Sequence, residues 1–220
     1  MRKIIACAFV SLDGVMQAPG GPEEDPTGGF TQGGWSFTYW DDAMNGIMGE
    51  SMSQPFDLLL GRKTYEIFAA HWPYAGENPL TDVFNKATKY VASRTLDRLD
   101  WVNSRLIQGD VATEVERLKA GDGPDLQVHG STVLLQTLIA AQLIDDYRLW
   151  IFPLILGRGK RLFERETAPQ ALSLVDTRSS STGVLINTYR PAGAVRPGSF
   201  AHATPTEAEL ARRKKMAREG

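Results

Sequence analysis

The sequence predicts an α/β fold in three layers, with a mostly parallel central sheet, helices on both faces and a C-terminal antiparallel hairpin. Short apolar, β-branched segments alternate with segments of helical spacing along residues 1–190, which is typical of βαβ units. The last two strand-like segments are separated only by a Ser-rich turn, which predicts an antiparallel pair. The chain has 220 residues, 42% of them hydrophobic, and is long enough to bury a core of its own.

The first strand is predicted over residues 3–10, an apolar run that ends at the turn containing Asp13. A helix is predicted over residues 41–52, where apolar residues share one face and Asp41 or Asp42 can cap the first turn. Further strands are predicted at residues 57–60, 90–92, 105–108, 126–129, 149–156, 171–176 and 184–189. Further helices are predicted at residues 64–70, 80–87, 112–120 and 133–143.

The sequence after this body differs in composition. Residues 191–205 are rich in Pro and Ala and predict a linker, and residues 206–219 predict a polar helix opened by a capping box of Thr206 and Glu209. The apolar face of that helix is too thin to be stable alone, so we expect it to be frayed or docked on a partner. The chain is therefore divided into a body, residues 1–190, and a tail, residues 191–220.

Composition and charge exclude several function classes. A net charge of −2 argues against a broad nucleic-acid surface, and no apolar stretch approaches the length of a membrane span. The N-terminal run leads into a turn and has no cleavage pattern, so we expect a cytoplasmic protein. Cys7 is the single cysteine and is expected to be a buried small hydrophobe rather than a reactive thiol. The scattered histidines, His71, His129 and His202, predict no metal site.

Three predicted strands end in turns that carry glycine, hydroxyl and cationic groups: residues 61–64, 93–95 and 130–132. In open α/β sheets, ligands bind beyond the carboxyl ends of the strands. Gly130 allows close backbone approach, and the helix that follows presents free N–H groups, which suit a pyrophosphate. Arg62, Lys63 and Arg94 suit a separate phosphate monoester, and the two together describe NADP better than NAD. Taken singly, each turn is better explained as an ordinary surface turn with a solvated cation; the three together favour the ligand.

Residues 17–40 hold six glycines, three prolines and five aromatic residues. A loop of this length inside a domain is often functional, and disordered segments contain few aromatics. We expect a lid or pocket wall, with Trp35 or Trp40 beside the substrate, rather than a disordered surface insert.

Several segments resemble the dihydrofolate-reductase-like superfamily. They are SLDGVMQ (11–17), LLLGRKTYEIF (58–68), KYVASRTL (89–96), residues 128–163 and the closing hairpin. More closely, the chain resembles stand-alone relatives of the reductase domain of the riboflavin-biosynthesis deaminase–reductase. The zinc-deaminase motifs H-x-E and P-C-x-x-C are absent, so the resemblance extends to the reductase half alone.

The resemblance implies NADPH as the cofactor. It assigns the adenosine-phosphate side to Gly61, Arg62, Lys63 and Thr64, the 2′-phosphate to Ser93, Arg94 and Thr95, and the pyrophosphate to Gly130, Ser131, Thr132 and Val133. Dihydrofolate reductases usually carry Gly-Gly at the last of these turns. Here the residues are His129, Gly130 and Ser131, which match the riboflavin-type relatives better.

The resemblance also implies a catalytic carboxylate early in the helix after the first loop, where Asp42 and its neighbour Asp41 are candidates. Asp13, at the end of the first strand, is a second candidate for a catalytic role. The alternative is that Asp13 only forms a turn and Asp42 only caps a helix.

These observations predict an NADPH-dependent reductase that transfers hydride to a small heterocyclic substrate, pterin- or pyrimidine-like. The alternatives are a nucleotide-binding or scaffolding protein that keeps the fold without turnover, and an interaction module acting through residues 206–220. The uninterrupted apolar run at residues 149–156 needs cover on both faces, and riboflavin-type relatives are commonly dimeric, so a homodimer is predicted. No nucleic-acid or membrane partner is expected.

Overall fold

Strands and helices alternate through the body as the sequence pattern predicts. The computed structural model describes residues 1–164, 166–200 and 204–219. The strands are β1 (Ile4–Ser11), β2 (Phe56–Gly61), β3 (Lys89–Ala92), β4 (Ser104–Ile107), β5 (Asp125–Val128), β6 (Asp146–Phe152), β7 (Leu172–Ser179) and β8 (Leu185–Pro191). The helices are α1 (Asp42–Ser51), α2 (Arg62–His71), α3 (Pro79–Lys86), α4 (Val111–Ala120), α5 (Thr132–Ala140) and α6 (Glu207–Glu219).

The eight strands form one sheet in the order β4-β3-β2-β5-β1-β6-β8-β7. The strands from β4 to β6 run parallel, whereas β8 pairs antiparallel with β6 and with β7. This arrangement confirms the predicted α/β fold, with a mostly parallel central sheet and a C-terminal antiparallel hairpin.

The two faces of the sheet are covered by different helices. On one side, the α4–α5 face, Leu135 and Leu138 of α5 and Val115 of α4 pack on strand residues such as Ala6 and Val128. On the other side, the α1–α2 face, the cover comes in two separate clusters. Helix α1 and the segment before it pack over β6 and β8, and α2 and α3 pack over β2 and β3.

Strand β6 differs from its prediction. It covers Asp146–Phe152 rather than residues 149–156, and it pairs with β1 from Ile5 opposite Asp146 to Ser11 opposite Phe152. The strand ends there because Pro153 has no N–H to donate to a ladder. Its cover comes from this chain's own helices on both faces, so the apolar run does not by itself require a partner.

The C-terminal region contains the predicted polar helix, α6, which buries none of its residues. Thr206 Oγ1 accepts a hydrogen bond from the Glu209 amide at 3.3 Å, which is one half of the predicted capping box. Part of the predicted linker, residues 201–203, and the last residue, 220, lie outside the described residues.

Candidate functional site

The three turns predicted to bind phosphates lie side by side. Strands β3, β2 and β5 are consecutive neighbours and run parallel, so their carboxyl ends meet at one edge of the sheet. Residues 93–95, 61–64 and 129–132 follow those ends directly. We call this the carboxyl edge.

Two glycines allow the turns after β2 and β5 to pack against each other. The Gly61 amide donates to the Gly130 carbonyl oxygen at 3.1 Å. A Cβ on Gly61 would lie 2.2 Å from Ser131 Oγ, and a Cβ on Gly130 would lie 2.7 Å from Thr64 Oγ1. Gly130 also has a φ of +135°, which side chains disfavour. Gly130 therefore requires glycine, and a side chain at position 61 would require Ser131 to shift, so the two turns pack as one unit.

Two helices begin at the carboxyl edge without a side-chain cap. The N-cap residues of α2 and α5 are Gly61 and Ser131, and neither makes a side-chain capping hydrogen bond. The side chains of Asp41, Asn78 and Asp110 do cap α1, α3 and α4. The first N–H groups of a helix have no intrahelical acceptor, so the uncapped ends of α2 and α5 suit an anion.

Arg94 contributes an available positive charge at this edge. Its side chain is exposed and makes no ion pair with any of the residues that the structure describes. The turn that carries it is ordered by Ser93, whose hydroxyl oxygen accepts from the amides of Thr95 at 3.2 Å and Leu96 at 3.0 Å. A guanidinium in this position can bind a phosphate monoester with two parallel hydrogen bonds.

The other two predicted cations already have carboxylate partners. Arg62 pairs with Glu66 at 3.0 Å on the surface of α2. Lys63 lies 3.6 Å from an oxygen of Asp25 and donates to Thr27 Oγ1 at 3.1 Å. Lys63 therefore connects the turn after β2 with the loop of residues 17–40.

That loop is packed on the body and contains short 3₁₀ helices at Thr27–Gly29 and Phe37–Tyr39. The Trp35 indole donates to the Gln17 carbonyl oxygen at 2.8 Å, and its side chain is 8% exposed. Trp40 is half-buried and stacks on Trp150, with ring centroids 5.6 Å apart and 8° between the planes. Trp40 thus offers a surface to a ligand and Trp35 belongs to the core. The substrate-binding role of both stays a prediction.

Asp13 is held by the protein itself. Its carboxylate accepts hydrogen bonds from Ser11 Oγ at 2.7 Å and from the amides of Leu156 at 3.1 Å and Gly157 at 2.9 Å, and it pairs with Arg161. Desolvation opposes ionisation, but these hydrogen bonds and the Arg161 charge outweigh it and lower the pKa of Asp13 to about 2. At neutral pH the carboxylate is ionised and has no proton to donate.

The candidate acids of α1 lie at its first turn. Asp41 is the N-cap residue, and its carboxylate accepts from the Met44 amide at 2.9 Å and from the Ser181 amide at 2.8 Å. Asp42 is the first helical residue and is exposed. Met44, two positions later, is fully buried in the cluster over β6. The catalytic roles of Asp13 and Asp42 stay predictions.

Sequence reasoning did not find the residues between the two helix clusters of the α1–α2 face. Phe9 and Trp150 lie on this face, and residues alternate along a strand, so Cys7 and Arg148 lie on it too. His129, named above as a scattered histidine and as part of a turn, follows β5 on the same face. No local motif carries this signal, because the group depends on the pairing of β1, β5 and β6.

Two residues in this gap are neutral at pH 7. Burial, opposed by the nearby Arg148 charge, raises the pKa of Cys7 to about 12, as expected for an unreactive thiol. Burial and, to a lesser degree, Arg148 lower the pKa of His129 to about 4. The His129 Nε2 atom lies 3.1 Å from Gln127 Oε1.

Within residues 1–164, 166–200 and 204–219, no group of three or more His, Cys, Asp or Glu side chains is arranged to hold a metal ion. His202 lies outside the described residues. None of the described helices has the length and apolarity needed to cross a membrane.

Solved structures share this fold. A putative riboflavin biosynthesis protein from Shewanella sp. PV-4 matches with a TM-score of 0.61 and 19% identity, over 87% of this chain and 99% of that one. Dihydrofolate reductase from Enterococcus faecalis, complexed with NADP(H) and RAB-propyl, matches with a TM-score of 0.55 and 16% identity, over 86% and 96%. A pyrimidine reductase-like protein from Corynebacterium diphtheriae matches with a TM-score of 0.56 and 12% identity, over 89% and 93%. The fold is therefore dihydrofolate-reductase-like, as the resemblance implied.

Sequence comparison gives the family. The uncharacterized protein YyaP of Bacillus subtilis is 30% identical over 197 residues, which cover 86% of this chain and 94% of YyaP. The uncharacterized protein YwjB of the same organism is 25% identical over 193 residues, or 86% and 98%. The model of the RibD C-terminal domain matches residues 2–186, nearly the whole body. The resemblance to the riboflavin-type reductases is thereby confirmed, and the chain belongs to the RibD C-terminal domain family.

Proposed function

We propose that this protein is an NADPH-dependent reductase that transfers hydride to a small heterocyclic substrate, pterin- or pyrimidine-like. One observation carries the proposal: two helices with uncapped N-termini, α2 and α5, begin at adjacent strands with the unpaired Arg94 beside them. Free N–H groups and a nearby guanidinium suit a pyrophosphate and a separate phosphate monoester. The reductase-like family and fold agree with this combination.

The residues at the carboxyl edge divide the work of holding NADPH. The turn from Gly130 to Val133, which leads into α5, would bind the pyrophosphate through its amides, and Gly61–Thr64 would border the adenosine phosphate. Arg94 would bind the 2′-phosphate, with Ser93 holding its turn in shape. When bound, the cofactor supplies the hydride, and the protein contributes position and electrostatics.

The loop of residues 17–40 would cover the substrate and exclude water. Its contacts with Lys63 connect it to the turn after β2, and its last residue, Trp40, lies beside Phe9 with ring centroids 5.8 Å apart. A flat apolar surface of this kind suits a planar ring.

The test combines binding and turnover on the full-length protein. We expect NADPH to raise the melting temperature, and we expect at least one member of a panel of pterins and pyrimidines to support NADPH oxidation. Arg94→Ala should weaken the thermal shift, and Arg98→Ala, which removes an exposed arginine on the same segment, is the matched control. Absence of any NADPH-dependent shift would contradict the proposal.

One observation favours a second candidate, a nucleotide-binding protein without turnover. Helix α1 buries Met44 in the cluster over β6 and β8, whereas Asp41 accepts the capping hydrogen bond and Asp42 is exposed. A thermal shift with NADPH but no oxidation across the panel would favour this candidate.

We also propose a homodimer, on a surface other than the predicted one. All eight residues of the edge strand β7 are exposed, and on its α4–α5 side Leu172 is 37% and Leu174 is 53% exposed. Leu172 also lines a cavity of about 230 Å³ with Tyr147 and Phe163. Exposed apolar patches on edge strands favour association.

Light scattering tests the dimer. The wild-type protein should have twice the chain mass at micromolar concentration, and Leu174→Lys should have the single-chain mass. Tyr74→Lys changes an exposed aromatic residue, 81% exposed, on the opposite side of the sheet and should leave the dimer intact. A wild-type protein with single-chain mass would rule the dimer out.

A further inference from the structure

Arg148 stands apart from the other cationic side chains. It lies in the middle of β6, opposite Cys7 on β1 and Thr188 on β8, and it is half-buried. Among the described residues, it is the one arginine or lysine that is not exposed and yet makes neither an ion pair nor a hydrogen bond.

The other buried and half-buried cations all have partners. Arg2 pairs with Asp57, and Lys119 pairs with Asp145 at 2.7 Å. Lys89 makes no ion pair, but it donates to two backbone carbonyl oxygens, at 2.8 and 3.1 Å. A guanidinium has five N–H donors, and leaving them unpaired away from water is unfavourable. Arg148 is therefore an exception, because its guanidinium has no partner where the other buried and half-buried cations have one.

The position of Arg148 is the gap between the two helix clusters of the α1–α2 face. Helix α1 covers Trp150 on one side of the gap. On the other side, His129 contacts the rings of Phe68 of α2 and Phe84 of α3, with centroids 6.1 and 5.8 Å away. Cys7, His129 and Arg148 are each half-buried, so the sheet is not fully covered between the two clusters.

Arg148 is the charged member of the three side chains in this gap, because Cys7 on β1 and His129 after β5 are both uncharged at neutral pH. Asp146, two residues before Arg148 on the same face of β6, is already paired with Lys3 and Arg190. On α1 and its cap, the Asp41 carboxylate is bonded to Ser181, the Glu50 carboxylate is paired with Arg178, and Asp42 is exposed. One guanidinium matches one carboxylate in charge and in its paired geometry, so the pair is neutral overall.

Flat aromatic rings border the cation. Phe9 and Trp150 each lie two residues further along their strands, with centroids 5.3 Å apart, and Trp40 stacks on Trp150. A ligand that satisfies this surface has a planar ring next to an anionic group.

We propose that Arg148 binds a carboxylate of the substrate, so that the substrate is a planar heterocyclic carboxylate. This inference rests on the proposed function, because it takes the gap between α1 and α2 as the place of the hydride acceptor. It deepens that function by naming the charge and the group that the substrate carries.

Calorimetry on the full-length protein, with and without saturating NADPH, tests this with matched probes. Orotate is compared with uracil, and pterin-6-carboxylate with pterin. We expect each carboxylate to bind about tenfold or more tightly than its uncharged partner, as one charge-assisted hydrogen-bonded pair can provide. Arg148→Gln should abolish the preference and Arg148→Lys should keep part of it, whereas Arg105→Gln, an exposed arginine on β4, should behave as the wild type.

Equal affinities within each pair for the wild-type protein, or a preference that survives in Arg148→Gln, would overturn the proposal. Tighter, Arg148-dependent binding of uridine 5′-monophosphate than of orotate would also overturn it, in favour of a phosphate. The melting temperature of Arg148→Gln tests its folding separately. It should equal or exceed that of the wild type, because the substitution removes an unpaired half-buried cation. Failure of NADPH to bind would overturn the proposed function; normal NADPH binding without a carboxylate preference overturns this inference alone.

Discussion

The two ends of the central strands differ in whether their polar groups have partners. At the amino end, the buried cations are paired or hydrogen-bonded within the protein. Arg2, 4% exposed, pairs with Asp57 and donates to the Pro124 carbonyl oxygen at 2.6 Å. Lys89, fully buried, lies 4.1 Å from the centre of the Trp101 ring and bonds to backbone carbonyls.

At the carboxyl edge, donors are left available. Two helix N-termini there have no side-chain cap, and Arg94 has no described ion pair. Buried polar groups that are satisfied stabilise the fold, and groups that are left unsatisfied at an accessible edge are available to a ligand.

The largest effect on stability is expected from a substitution at the amino end of the strands. Asp57→Ala leaves Arg2 buried without its partner, and we expect it to lower the free energy of unfolding by about 3–5 kcal/mol, measured by urea denaturation. NADPH affinity should change little, since Asp57 lies at the far end of β2. Asp100→Ala is the control, because its pair with Arg98 is 73–80% exposed and contributes about 0–1 kcal/mol. If Asp57→Ala also weakened NADPH binding by a comparable free energy, the two ends of the strands would not be independent.

The next largest effect is expected from a substitution at the carboxyl edge, and it concerns both stability and NADPH affinity. Gly61→Ala places a Cβ 2.2 Å from Ser131 Oγ and 3.0 Å from the Ser131 backbone N, so Ser131 has to shift at the start of α5. We expect a stability loss of about 1–3 kcal/mol and NADPH affinity lower by about tenfold or more. Adding Ser131→Gly should restore part of both. Gly46→Ala, in a part of α1 with open space around it, should instead stabilise by about 0.5–1 kcal/mol. Normal NADPH affinity in Gly61→Ala would contradict the assignment.

A smaller effect concerns Asp13, at the same edge but bound within the protein. Its folded pKa of about 2 lies below the ordinary value, so its contribution to stability is present above about pH 4 and is lost as the pH falls towards 2. Because the group is partly exposed, we expect Asp13→Asn to cost about 1 kcal/mol at pH 7 and progressively less below pH 4, by denaturation at several pH values. An undiminished difference at low pH would contradict this account. Loss of turnover with normal stability would favour the catalytic role.

The smallest effect is expected from the tail. Helix α6 buries no residue, so removing residues 204–220 should leave the melting temperature and NADPH affinity unchanged. If function is lost while NADPH binding survives, the tail is an interaction module, as the third interpretation of the sequence holds.

The carboxyl edge was predictable because each turn is a contiguous motif after a strand. Gly61, Arg94 and Gly130 each lie in a short segment whose residue types are typical of phosphate binding. Parallel strands bring these segments together. What the sequence did not reveal is which cations already have partners, since Lys63 and Asp25 are far apart in the chain.

The gap that holds Arg148 was not predictable for a related reason. Cys7 and Arg148 lie on β1 and β6 and His129 follows β5, and only the register between those strands makes the three residues neighbours. A continuous apolar run such as residues 149–156 does not show where a buried strand begins, so β6 was placed about three residues too late and Arg148 fell outside it.

Calorimetry of NADPH and NADH binding to the full-length wild-type protein tests the central claim, that the carboxyl edge is a site for a phosphorylated dinucleotide. A charge-assisted bond from Arg94 to the 2′-phosphate, about 1.5–3 kcal/mol, predicts that NADPH binds roughly 10–100-fold more tightly than NADH. Arg94→Ala should remove most of that difference by weakening NADPH alone. Equal dissociation constants for the two cofactors, or no binding of either, would contradict the account.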